Sequence, residues 1–157
     1  MTISAANAAA QSEELELKAA FIYNFSLLTT WPEAKENLNF CVLGESGYVG
    51  ALAKYEGRKV ANATIHVQKI NAVEEANSCE ILFIGSSENP RMEHIHSALK
   101  GMPVLTVAEL GILDPPGVMI TLVRAGNRVA FEVNHHSAKS AGLDLSSKML
   151  KLARKVK

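Results

Sequence analysis

At 157 residues the chain has room for one folded core and little for a second. It is 48% hydrophobic and 20% charged, the balance of a globular domain rather than a disordered chain. Sixteen basic side chains meet sixteen acidic ones, so no net charge draws the chain toward nucleic acid or anionic lipid.

Residues 1–12 read as a flexible tail ahead of a single domain over residues 13–152. Within the tail, Ala5-Ala6-Asn7-Ala8-Ala9-Ala10 is like the small-residue end of a secretory signal, but the basic and apolar regions of such a signal are missing. No apolar stretch reaches the roughly 20 residues that span a bilayer. A helix is expected over 13–29, with Ser12 as its cap and Glu13 and Glu14 in the first turn, where negative charge is favoured. Leu17, Phe21, Phe25 and Leu28 recur near helical spacing as one apolar stripe. Trp31-Pro32 ends the helix, because a residue before proline is pushed out of the helical region.

A short apolar run over 39–43, closed by Gly44, has the pattern of a buried strand. A helix follows over 48–55, and a second strand over 60–70 with partial alternation. After a helical turn at 72–77 comes the run 79–84, whose Ile-Leu-Phe-Ile is apolar on both faces, as a covered parallel strand requires. A helix over 88–100 and a strand over 103–107 continue the alternation, which implies a mostly parallel sheet. Segments 118–123 and 128–133 flank Ala125-Gly126-Asn127, a hairpin turn, and so predict an antiparallel edge hairpin. Asn134 and Ser146 are placed to cap two closing helices. Lys148, Lys151, Arg154, Lys155 and Lys157 fall on the second of these, where cations complement the C-terminal dipole. The expected fold is α/β: one compact three-layer domain with helices on both faces of the sheet.

Few residues point to chemistry. Gly44, Gly47 and Gly50 follow a strand, but their spacing fits neither a dinucleotide fingerprint nor a P-loop. In an open parallel sheet ligands favour the crevice beyond the strand ends. If the first and third strands are neighbours, Ser46, Gly47, Ser86 and Ser87 line that crevice. His94 and His96 do not share a helix face, and His135 and His136 have no carboxylate at metal-binding spacing, so no metal is expected. No cofactor motif, Gly-x-Ser-x-Gly elbow or paired-carboxylate arrangement stands out, and an enzyme is the weaker reading. Cys41 and Cys79 permit one internal bridge, two buried thiols, or neither.

Five blocks carry a resemblance: Lys18-Ala19-Ala20-Phe21-Ile22-Tyr23-Asn24-Phe25 with Thr30-Trp31-Pro32; Phe40-Cys41-Val42-Leu43-Gly44; Cys79-Glu80-Ile81-Leu82-Phe83-Ile84; Gly117-Val118-Met119-Ile120 through Phe131-Glu132-Val133-Asn134; and Ala141-Gly142-Leu143-Asp144-Leu145 through Leu150. In this order they resemble the YfiR family of bacterial periplasmic proteins. The resemblance implies a soluble, dimeric periplasmic repressor that binds the sensor region of an inner-membrane diguanylate cyclase. An outer-membrane lipoprotein would relieve the repression and so raise cyclic-di-GMP and favour biofilm. It also implies a disulfide between Cys41 and Cys79. A second, C-terminal disulfide of the family's best-known member has no counterpart, since no cysteine follows Cys79. Phe21, Tyr23, Phe25 and Trp31, large side chains of the first helix and its end, are the candidate partner or dimer interface, with core packing as their alternative role. The rival function is a periplasmic small-molecule sensor that acts on another membrane protein through the crevice above.

Overall fold

The computed structural model describes residues 5–44, 47–112 and 115–157. Helix α1 (Ala5–Leu27) runs into the short strand β1 (Thr29–Thr30) and then β2 (Asn37–Leu43). Helix α2 (Gly47–Leu52) and a 3-10 turn (Ala53–Tyr55) precede β3 (Lys59–Val60) and β4 (Ala63–Ile70). A 3-10 segment (Val73–Ser78) leads to β5 (Ile81–Ile84), and another (Ser86–Arg91) leads to α3 (Met92–Leu99) and β6 (Leu105–Ala108). The chain closes with β7 (Ile120–Ala125), β8 (Arg128–Val133), α4 (His135–Ser140), β9 (Asp144–Leu145), α5 (Ser147–Leu152) and β10 (Lys155–Val156).

Eight strands form one sheet in the order β10-β8-β7-β6-β5-β2-β4-β3, and β1 pairs with β9 in a separate two-stranded ribbon. The run β4-β2-β5-β6-β7 is parallel throughout. Numbered by first appearance, these five strands lie 2-1-3-4-5, a doubly wound order whose reversal falls between β2 and β5. Alternation along the strands sorts their side chains onto two faces. Leu38, Phe40 and Val42 of β2 join Ile81 and Phe83 of β5 in one apolar cluster with α1, α2 and α5. Cys41 and Leu43 join Leu82 and Ile84 in a second cluster with α3 and the first long 3-10 segment. The result is three layers, with helices on both faces of a mostly parallel sheet.

Several local expectations change. Helix α1 begins at Ala5 rather than near Glu13, so residues 5–12 are helical and Ser12 lies inside the helix instead of capping it. Alanine, the strongest helix former, dominates that extension. The single strand expected over 60–70 is two, β3 and β4, paired antiparallel around Ala61 and Asn62. Ala61 sits at φ 52°, where glycine or asparagine is usual, so the turn gives no compositional signal. The β7–β8 hairpin forms around Gly126 and Asn127, but it is not the sheet edge, because β10 pairs parallel with β8. Helix α5 stops at Leu152, and Arg154 and Lys157 donate backbone N–H bonds to Phe131 and Val133. Arg154, Lys155 and Lys157 therefore lie off the helix, and of the expected cations only Lys151 stands in its last turn. Asn134 and Ser146 do cap α4 and α5, accepting from the backbone N–H groups of Ser137 and Met149 at 3.0 and 3.2 Å.

Candidate functional site

The sheet order puts the ends of β2, β5 and β6 side by side at the reversal point. The loops after β2 and β5 touch: Gly44 is at φ +96°, and a Cβ there would come within 2.8 Å of the Ser87 hydroxyl. Glycine is required at 44 for both conformation and close approach. Of the expected crevice residues, Ser87 stands against Gly44, Ser86 is exposed, and Gly47 opens α2 beneath Leu15 of α1. Ser46 lies outside the described residues.

Helix α1 packs beside this crevice, with Leu15 near Gly47 and Lys18 against Glu109. Lys18 sits on the buried face of the helix with Ile22 and Phe25, and its ammonium lies 3.0 Å from the carboxylate of Glu109, just after β6. Lys18 and Glu109 are only 5% and 7% exposed. The same carboxylate accepts the Tyr48 hydroxyl and, at 2.6 Å, the backbone N–H of Leu110. The Lys18 ammonium also lies 5.9 Å from the Tyr48 ring centre and 3.5 Å from Glu14, which pairs with Arg124 of β7. Two charges removed from water cost several kcal/mol each, and these hydrogen bonds offset that cost. The Arg124 guanidinium holds the Glu14 carboxyl below its usual value. A lysine on the apolar face of a helix, four and seven residues ahead of Ile22 and Phe25, is the sequence signal for such a buried partner.

Cys41 of β2 and Cys79, at the end of the 3-10 segment just before β5, form a disulfide with 6.0 Å between their Cα atoms. Both residues are buried, at 1% and 4% exposure, and the Gln68 amide covers the sulfur of Cys41 at 3.3 Å. Next to it, Glu80 accepts the backbone N–H of Asn39 at 2.6 Å, and burial pushes its carboxyl above the usual value.

The four aromatic interface candidates separate into two kinds. Phe25 and Trp31 are core residues and leave the set of exposed anchors. Phe25 packs edge-on against Phe131 at 4.9 Å, and the indole N–H of Trp31 donates to the Glu80 carbonyl at 3.2 Å. Only Phe25 of the expected apolar stripe is fully buried: the inward face of α1 carries Lys18, Ala19, Ile22, Phe25 and Ser26, while Leu17 is exposed. Phe21 and Tyr23 are half-buried. Tyr23 stacks on Tyr55 at 4.6 Å, and the exposed Arg58 guanidinium lies 5.8 and 5.1 Å from the two ring centres. Leu17 and Leu27 of the same helix are both 47% exposed. The Tyr23–Tyr55–Arg58 layer had no signal in the sequence, since Tyr55 and Arg58 stand more than 30 residues from Tyr23.

Two exposed histidines each meet one carboxylate: His66 lies 2.9 Å from Glu56 and His94 2.7 Å from Glu74. Among the described residues no three His, Cys, Asp or Glu side chains are grouped to hold a metal ion.

A solved structure titled as an ABC domain in complex with L-Trp from Streptococcus pneumonia is similar to this chain, with a TM-score of 0.53 at 10% identity. The likeness covers 76% of this chain and 55% of that one, so this chain spans about half the length of the chain it matches. At that identity it is a likeness of fold alone. The family model described as YfiR/HmsC-like matches residues 15–154, nearly the whole described chain from α1 to the start of β10. The chain belongs to the YfiR/HmsC-like family.

Proposed function

We propose that the chain is a periplasmic regulatory protein that binds and represses the periplasmic sensor domain of an inner-membrane diguanylate cyclase, and so controls cyclic-di-GMP signalling and biofilm formation. Family membership supports the coarser role, regulation of diguanylate cyclase signalling from the periplasm. The disulfide fits an oxidising compartment, and no helix among the described residues is long and apolar enough to cross a membrane. The observation that carries the reading is the conjunction of the family match with this buried Cys41–Cys79 bridge.

In this reading the work is done by surface rather than by bond-making chemistry. Leu17 and Leu27 are exposed on the outer face of α1, and the half-buried Phe21 and Tyr23 lie on its two opposite flanks, together a surface for the cyclase or for a second copy of the chain. Homodimerisation and release by an outer-membrane lipoprotein belong to the same proposal. Titration of the oxidised protein against the purified periplasmic domain of the cyclase tests it, with cyclic-di-GMP output followed in membranes. Saturable binding with a fall in output is expected, and no binding under oxidising conditions overturns the reading.

A further inference from the structure

A cavity of about 270 Å³ opens between α3 and α4, over β6 and the segment that leads into β7. Leu99, Val104 and Val118 give it buried apolar walls. A cavity of about 150 Å³ already holds a benzene-sized molecule. Its polar side chains are the buried hydroxyl of Thr106, the hydroxyls of Ser137 and Ser140, the imidazoles of His96 and His136, and the ammonium-bearing Lys100 at the end of α3, all able to donate a hydrogen bond. No carboxylate lines it among the described residues. Thr106 accepts the Met119 N–H at 2.9 Å, which leaves its own hydrogen to be donated. The His96 ring lies directly over Gly117, where a Cβ would run into it, so glycine at 117 leaves room for the imidazole at the cavity rim.

We propose that this cavity binds a small organic monocarboxylate with an apolar tail. The tail lies against Leu99, Val104 and Val118. The carboxylate faces Thr106 and the His96, His136 and Lys100 side, where charge-assisted hydrogen bonds reward an anion. An ammonium ligand meets like charge at the same rim, and a neutral ligand of the same length forgoes those bonds. The inference is independent of the partner reading, since none of these residues is among the α1 aromatic candidates.

The test uses the full oxidised chain with hexanoate, hexanol and hexylamine, read by the histidine ring resonances in NMR. Hexanoate should shift His96 and His136 and leave His66 and His94, which pair with Glu56 and Glu74 elsewhere, in place. It should bind about tenfold more tightly than hexanol, the worth of one charge-assisted hydrogen bond. Thr106→Val should weaken hexanoate by about the same factor and leave hexanol unchanged. His136→Gln, on the exposed rim, repeats the comparison if the buried variant fails to fold. Static His96 and His136 signals up to the solubility limit, hexanol binding as tightly as hexanoate, or unchanged hexanoate affinity in the folded variants would each overturn the proposal.

Discussion

The sheet buries unlike material on its two faces. Beneath α1 it carries Phe40, Phe83, Leu105 and Phe131 against Ile22 and Phe25, with Tyr48 and Leu52 of α2 filling the flank. The opposite face has Leu43, Leu82, Ile84 and Ala108 against the shorter α3, with no aromatic ring in its cluster of buried residues. That face also holds the covalent link and the open cavity. Burial of a large apolar side chain stabilises by about 1.5–3 kcal/mol, so the aromatic face can hold its helix by packing and can accommodate a buried ion pair as well. The thinner face has less apolar area to lose and gains its stability by restricting the unfolded chain. A bridge and a void thus occur together where packing is lighter.

The comparison breaks first on the aromatic face. Phe25→Ala removes a ring wedged between Phe21 and Phe131 and should cost about 3–5 kcal/mol, read from the denaturant midpoint. Lys18→Met leaves the buried carboxylate of Glu109 without its cation, and a loss of about 3 kcal/mol or more is expected. Adding Glu109→Gln to that variant should recover part of the loss, and a double-mutant cycle measures how much. On the other face, replacing Cys41 and Cys79 together by alanine should cost about 2–4 kcal/mol. If that loss exceeds the one from Phe25→Ala, the ranking of the two faces is wrong.

The smallest effect sharpens the picture at the junction of the faces. Burial holds the Glu80 carboxyl above the ordinary value, so the folded chain keeps a proton that the unfolded chain has already released. Stability should therefore fall as pH rises through the ordinary carboxylate range and just above it, where the unfolded chain has released this proton and the folded chain still holds it. Glu80→Gln keeps an acceptor for the Asn39 N–H and should flatten that part of the pH–stability curve, measured as the denaturant midpoint against pH.

Much of the sheet was legible because its strands bury both faces. The run from Ile81 to Ile84 reads as a central strand from composition alone, and Asn134 and Ser146 announce their helices by side-chain chemistry. Elements of two residues, such as β3, β9 and β10, have no period to read and form only because a neighbouring strand offers hydrogen bonds. The functional surfaces were less legible for a related reason. Periodicity separates a buried side of α1 from an exposed one, but it does not say that Phe25 and Trp31 go inward while Tyr23 meets Tyr55 and Arg58. The buried Lys18–Glu109 pair was hidden too, since its partners meet only through the sheet order.

The bridge also bears on the order in which the molecule assembles. Cys41 and Cys79 are 38 positions apart, and between them lie α2 and the β3–β4 pair. Registering β2 beside β5 from an open chain means closing that loop before any strand contact rewards it, the slow kind of event in parallel sheets. In the oxidised chain the encounter is already made, and the segment between the cysteines need only fold within a closed ring. Stopped-flow refolding of the oxidised and reduced chains should show the oxidised one reaching the native state sooner, with the central strands as an early template for the rest.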